Sequence, residues 1–355
     1  MSNVPAPHVI DGVTSHYVQV GSRLRMHYLE AGPAAAPAVL LVHGNVSSST
    51  FWLSLMAELA SDFRVIAPDL RGYGHTETKP IDATRGVRDW SDDLHALLHT
   101  LGVASAHVVG WSLGGGVAMQ LLLDHAEVVR TLTLQAPVSP YGFGGTHLDG
   151  TLCNPDASGT GGGSANAEFV ANIKARLTED TGPASPRGVL RAFYVADPAC
   201  LADLEDAYVD SMLSTATGDD NYPGTAAAST FWPMIAPGER GVLNTLSPKY
   251  FNTAAIVDLP VKPPVLWVHG DADKIVGDAS LFDLNFLGQL GAVPGWPGAE
   301  AAPAQPMITQ TRNVLEAYAA HGGSFTELTL AGCGHSPHLE RADEVQAALR
   351  THFTH

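Results

Sequence analysis

The sequence predicts an α/β protein: a mostly parallel, doubly wound sheet of about eight strands, interrupted by one large, mainly helical cap insertion. Three observations carry this expectation. Short apolar runs alternate with helix-like stretches over residues 38–134 and again from residue 264 onward. Runs such as Ala38-Val39-Leu40-Leu41-Val42 are apolar at every position rather than at alternate ones, as strands covered on both faces require. The alternation stops near Pro137 and resumes at Pro264, so the intervening chain is a unit of a different kind.

In order along the chain, residues 17–20 and 24–29 read as two strands joined by the turn Gly21-Ser22, a hairpin. A buried strand at 38–42 precedes a helix at 51–59, and a second buried strand, 64–67, ends at Pro68-Asp69. Residues 87–101 have helical periodicity, with Trp90, Leu94, Leu97 and Leu98 on one face. A strand at 106–109 leads through Gly110 into a helix after Ser112, and further strands lie at 131–134, 265–269 and 325–330. The predicted division is a core of residues 1–137 and 260–355 with an insertion of residues 138–259. The insertion holds a Gly/Ser-rich loop, 158–164, with too little apolar surface to build a core. It also holds amphipathic stretches at 169–177 and 201–213, and aromatic, proline-punctuated sequence around Phe231-Trp232-Pro233 and Tyr250-Phe251. Such an insertion is expected to cap the C-terminal ends of the strands, where open α/β sheets bind ligands. A second irregular stretch, 291–306, is long enough to be functional or mobile.

Composition narrows the partners. The 355 residues carry 19 Lys and Arg against 36 Asp and Glu, a formal charge of −17. That surface repels phosphate backbones and anionic lipid, which argues against nucleic-acid and membrane partners and for a small neutral or apolar substrate. No stretch reaches the length of a membrane span, and no basic segment followed by an apolar one opens the sequence, so the expected compartment is the cytoplasm. The three cysteines, Cys153, Cys200 and Cys333, are odd in number and lack metal-like spacing; no disulfide framework is expected. Asp92, Asp93 and His95 read as the solvated face of a helix rather than a metal site. The run Gly114-Gly115-Gly116 lacks a P-loop lysine and dinucleotide spacing, so it reads as close helix–strand packing, and neither cofactor nor metal is expected. Oligomeric state is not legible.

The chemistry concentrates at Gly110-Trp111-Ser112-Leu113-Gly114, between an apolar strand and a helix. A serine on so sharp a turn projects its hydroxyl, and small residues two before and two after it keep any Cβ from striking neighbouring backbone. Serine is a poor nucleophile near neutral pH, so it needs a base and an orienting carboxylate on the same rim. Two later strand ends offer them: Gly270-Asp271-Ala272-Asp273 and Gly332-Cys333-Gly334-His335. The chain order Ser112, Asp273, His335 suits a parallel-sheet scaffold.

These motifs, with His43-Gly44-Asn45 and Pro68-Asp69-Leu70-Arg71-Gly72-Tyr73-Gly74-His75-Thr76, resemble the α/β-hydrolase fold superfamily in its capped branch, which includes epoxide hydrolases and haloalkane dehalogenases. The resemblance covers residues 17–137 and 264–353 and leaves the insertion unplaced. It implies Asp273 rather than Asp271 as the acid of the triad, three positions after the strand-end glycine, and His335 as the base. The loop at 135–139, where some relatives carry the acid, has no carboxylate. It also implies that His43 and the segment Arg71-Gly72-Tyr73-Gly74 brace loops, and that His338 is a helix-start residue. The backbone N–H groups of Leu113 and Asn45 are expected to form the oxyanion hole. Trp111, Phe231 and Trp232 are expected to line the substrate pocket; Tyr141, Phe143, Phe193 and Tyr194 suit either a cleft or core packing. Serine replaces the carboxylate nucleophile of dehalogenases and epoxide hydrolases, so the implied reaction is attack on a carbonyl through an acyl-enzyme. An ester or lactone of an apolar small molecule is the expected substrate. The same triad serves C–C bond hydrolases, amidases and perhydrolases, and a ligand receptor on this scaffold is the alternative of another class.

Overall fold

The computed structural model describes residues 6–355. Its strands are β1 (Val13–Val20), β2 (Leu24–Ala31), β3 (Ala38–Val42), β4 (Arg64–Pro68), β5 (Ala106–Trp111) and β6 (Val129–Gln135). Four very short strands follow, β7 (Thr217–Gly218), β8 (Tyr222–Pro223), β9 (Ala226–Ala228) and β10 (Ile235–Pro237), before β11 (Val265–Gly270) and β12 (Phe325–Leu330). The eight long strands form one sheet in the order β1-β2-β4-β3-β5-β6-β11-β12. β1–β2 and β2–β4 pair antiparallel, and every other pair is parallel. Burial follows position: β3, β5 and β11 are buried throughout, whereas the edge strands β1 and β12 leave many side chains in solvent.

A 3-10 turn (Ser49–Trp52) and α1 (Leu53–Leu59) occupy the first predicted helix. α2 (Arg88–Thr100) buries Trp90, Leu94, Leu97 and Leu98 completely, the face its periodicity predicted. α3 (Leu113–Asp124) lies so close to the segment leaving β6 that a Cβ on Gly115 would stand 2.6 Å from the Pro137 Cβ. One on Gly116 would stand 2.6 Å from Val138 Cγ1. The triple glycine is therefore a packing device.

Between β6 and β11 the regular elements are mainly helical: α4 (Ala167–Ala175), α5 (Pro186–Val189), α6 (Glu205–Leu213) and α7 (Val242–Thr245), with the two-stranded ribbons β7–β8 and β9–β10. The Gly/Ser-rich loop differs from expectation. Ala157, Ser158 and Thr160 are buried, and Gly159, Gly161 and Gly163 take φ of 88°, 75° and 72°. A Cβ on Gly162 would stand 2.6 Å from the Pro237 Cβ. The small side chains pack with the backbone: Ser158 Oγ donates to Phe231 O (3.1 Å), and the Thr160 and Ser247 hydroxyls lie 3.0 Å apart. After β11 come α8 (Leu284–Gln289) and α9 (Met307–Ala320), and after β12 come α10 (Pro337–Glu340) and α11 (Ala342–His352). The irregular stretch 291–306 is pinned at its end by fully buried Gln305, whose N–H donates to Asp283 Oδ2 (2.8 Å) and whose amide donates to Gln310 Oε1 (2.7 Å). No helix among the described residues is long and apolar enough to cross a membrane.

Burial holds His43, His107 and His352 at a pKa of about 4, and His338 at about 3, against an ordinary 6.5. Between those values the unfolded chain binds protons that the folded one refuses, so stability falls as pH drops from about 6.5 toward 4. Asp283, raised to about 6 by burial, and Asp93, also raised by burial, oppose this trend, but the four histidines outnumber them. Thermal melts followed by circular dichroism are expected to show Tm falling steadily from pH 7 to pH 4.5. A flat Tm over that range contradicts the assignment.

Candidate active site

Ser112 sits between the end of β5 and the start of α3 with φ 57° and ψ −120°. That conformation costs a non-glycine residue on the order of 1–3 kcal/mol and persists only when the surroundings impose it. Here they do: the Ser112 N–H donates to Gln135 O (3.0 Å), and Ser112 O accepts from the Val138 N–H (3.1 Å). A Cβ on Gly110 would stand 2.3 Å from Gly114 O, and one on Gly114 would stand 2.3 Å from Val42 O. Both clashes are with backbone, which explains the two glycines.

His335 follows β12. Its Nδ1 donates to Asp273 Oδ2 at 2.8 Å, with both side chains almost fully buried. Asp273 Oδ1 accepts the N–H groups of Ile275 (2.7 Å) and Val276 (3.0 Å), so the carboxylate is held from behind. With Nδ1 donating, Nε2 is left as an acceptor in the neutral ring. Asp271 is exposed and instead accepts the Gly332 N–H (2.6 Å), pinning one loop to the other. A Cβ on Gly270 would stand 2.0 Å from Cys333 O, so the close approach of the two loops requires glycine there.

The loop after β3 is braced from several sides. His43 Nε2 accepts the Leu70 N–H (2.9 Å) while Nδ1 donates to Gly44 O (2.8 Å). That pattern needs a neutral ring, and burial, which drops its pKa to about 4, ensures one. Tyr73 donates to Asn45 Oδ1 (2.7 Å), and the Tyr194 hydroxyl lies 3.0 Å from Asn45 O and 3.2 Å from Val46 O. The backbone N–H groups of Asn45 and Leu113 have no protein partner among the described residues, and both residues line the same cavity as Ser112 and His335. Buried Asp69 accepts from His27 Nδ1 (2.6 Å) and from the Ser49 and His75 N–H groups (each 2.8 Å). It fastens the segment containing Arg71-Gly72-Tyr73-Gly74 beneath the site, and these partners hold its carboxyl far below the ordinary range despite burial.

The cavity holds about 670 Å³ and is largely apolar, with Val138, Phe143, Phe193, Tyr194, Leu246 and Phe282 in its wall. Trp111 lines it and donates through Nε1 to His335 O (2.7 Å). Phe231 and Trp232 correct the sequence expectation, because neither reaches the cavity. Trp232 donates to Pro294 O (2.9 Å) and lays its ring against Gly288, while Phe231 stays 40% exposed. Tyr141 is likewise outside, packed against Gly150. Sequence reasoning missed Phe282, Tyr222 and Glu168. The i, i+3 pair Leu284 and Leu287 on α8, also in the wall, was a readable signal. Among the lining residues there is no Lys or Arg, and Glu168 is the one carboxylate.

Glu340 was also missed. Its Oε1 accepts the Gly334 N–H (2.8 Å) beside His335, and its Oε2 accepts the Ala196 N–H (2.7 Å), two residues beyond Tyr194. One carboxylate thus ties the His335 loop to the insertion. Steady-state kinetics of Glu340→Ala are expected to show kcat reduced about 10–100-fold with KM nearly unchanged, the size of a lost charge-assisted hydrogen bond. Glu340→Gln, which keeps one acceptor, should recover part of it. Unchanged kcat in the alanine variant contradicts a positioning role.

A strained serine, a buttressed imidazole and two unpartnered N–H groups around one cavity can together activate a hydroxyl and stabilise an oxyanion. The comparisons with known proteins agree with this architecture. The family model described as alpha/beta hydrolase fold matches residues 37–154. Residues 37–154 thus resemble the α/β-hydrolase family, and the whole chain shares its fold. It is 35% identical over 132 residues to the 2-hydroxymuconate semialdehyde hydrolase of Pseudomonas sp. (strain CF600), covering 36% of this chain and 45% of that one. It is 35% identical over 121 residues to human epoxide hydrolase 4, covering 34% and 33%. The matches thus span less than two thirds of these curated relatives' own lengths. Among solved structures, the 2-hydroxy-6-oxo-6-phenylhexa-2,4-dienoate hydrolase from Rhodococcus sp. strain RHA1 aligns with TM-score 0.59 at 20% identity, covering 97% of this chain and 99% of that one. The esterase RhEst1 from Rhodococcus sp. ECU1013 aligns with TM-score 0.58 at 18% identity, covering 96% and 98%. At these identities the structural likeness is one of fold.

Proposed function

We propose that the protein is a serine hydrolase that cleaves a carboxylic ester or lactone of a neutral, largely apolar small molecule. Ser112 is the nucleophile, His335 the base and then acid, and Asp273 the group that fixes the imidazole's tautomer and stabilises its charged form. The N–H groups of Asn45 and Leu113 receive the oxyanion of each tetrahedral intermediate. His335 takes the serine proton during acylation and passes it to the leaving alcohol. It then draws a proton from water, whose attack releases the acid and restores Ser112. Residues 138–259 act as the cap, since Phe143, Phe193, Tyr222 and Leu246 from that segment line the cavity that holds Ser112.

The observation that carries this reading is the His335–Asp273 pair, at 2.8 Å, opening with Ser112 onto a cavity whose lining has no Lys or Arg. That lining favours neutral esters over the carboxylate-bearing dienoates named for the Rhodococcus C–C hydrolase, because a buried carboxylate without a cation is strongly disfavoured. The test is a panel of p-nitrophenyl esters from acetyl to octanoyl, each paired with an acyl chain ending in carboxylate. The neutral member should have a kcat/KM at least about tenfold higher, the factor given by 1.4 kcal/mol. Equal rates, or preference for the carboxylate, would overturn the substrate class.

A further inference from the structure

On another face of the core, His95 on α2 meets His125 and Glu127, which lie in the connection between α3 and β6. One ligand atom from each lies within 4.8 Å of the other two. The imidazoles are stacked, with centroids 3.9 Å apart and planes inclined by 2°. His95 Nε2 stands 3.6 Å from Glu127 Oε1, and His125 Nε2 stands 3.6 Å from Asp92 Oδ1. Those separations are too long for direct hydrogen bonds. The His95–Glu127 separation approaches the ~3.4 Å spacing of neighbouring ligands around an ion with bonds of about 2.0–2.1 Å. His125 Nε2 is shielded from solvent and has no hydrogen-bond partner among the described residues, so a basic nitrogen is buried with nothing to bind.

We propose that His95, His125 and Glu127 form a binding site for a divalent transition-metal ion of the Zn²⁺, Cu²⁺, Ni²⁺ class, with water completing the coordination. Two imidazoles and a carboxylate suit these ions, whereas Mg²⁺ and Ca²⁺ take oxygen ligands. Both rings must turn about Cβ–Cγ so that their lone pairs converge. Asp92, anchored by Arg85 (2.7 Å), adds a further carboxylate 3.6 Å from His125 Nε2. The ligands come from two elements thirty positions apart, so the local pattern Asp92-Asp93-His95 concealed the site. Asp93 takes no part, being buried and bonded to Arg23 and Arg71. A bound ion would pin α2 to the end of α3.

The test is calorimetric titration of the EDTA-stripped full chain with ZnCl₂, with thermal melts alongside. One Zn²⁺ is expected to bind per chain, with Tm rising by roughly 3–4 °C when free Zn²⁺ is a hundred times Kd. His95→Gln and Glu127→Gln should each weaken binding at least tenfold. Both residues are partly or largely solvent-exposed, so their replacement spares the core, and circular dichroism checks the fold. His99→Gln, on the same helix, should bind as the parent does. Absence of binding, parental affinity in His95→Gln, or equal loss in His99→Gln would each overturn the site.

Discussion

Ser112→Ala is expected to lower kcat on p-nitrophenyl esters by about 10⁴–10⁶-fold while leaving the circular dichroism spectrum unchanged. The size follows from what the substitution removes. The strained turn at φ 57° is imposed by neighbouring backbone and needs no hydroxyl, so the fold survives. The proposed oxyanion donors at Asn45 and Leu113 also survive, and they are expected to set the residual rate. What disappears is the atom proposed to form the acyl bond. Kinetics at matched enzyme concentration, with the spectrum as control, check both parts; a loss below tenfold would place the nucleophile elsewhere.

Asp273→Asn is expected to lower kcat by about 10⁴-fold, for a reason visible in the geometry. Oδ1 of Asp273 accepts two backbone N–H groups, from Ile275 and Val276, and only an oxygen can remain there. The amide must therefore place its NH₂ against His335 Nδ1, which becomes the acceptor. The ring proton then moves to Nε2, where it blocks acceptance of the serine proton. Asp271→Asn is the matched control, because that carboxylate holds only the Gly332 N–H and is exposed. Its kcat should stay within about threefold of the parent, the effect of a net hydrogen bond under 1 kcal/mol. Comparable losses in both variants would contradict the assignment of Asp273.

How far the sequence was legible depended on whether the determinant was local. The core strands could be read because burial on both faces leaves an uninterrupted apolar run, as in β3 and β11. The turn at Ser112 could be read because its steric demand falls on residues two positions away. The acid and base loops could be read as strand ends, and the contact of His335 with Asp273 follows from β11 and β12 lying side by side. The cavity wall was less accessible. Phe231 and Trp232 are as aromatic as Phe193 and Tyr194, but composition does not say which way a side chain faces. Trp232 faces Gly288 and Pro294, and only the packing of the insertion decides that. The burial of the Gly/Ser-rich loop was not legible because small residues give no apolar pattern, and Glu340 was missed because one of its two N–H partners, Ala196, is far away in sequence.

The central claim, that Ser112 is acylated, is tested most directly by rapid mixing of the protein with excess p-nitrophenyl acetate, followed by acid quench and peptide mass spectrometry. If deacylation is the slower step, a burst approaching one p-nitrophenolate per chain precedes the steady rate. An acetyl group should be found on the peptide containing Ser112, and both should vanish in Ser112→Ala. Turnover with the acetyl group on another residue, or a burst that persists in Ser112→Ala, would contradict the account.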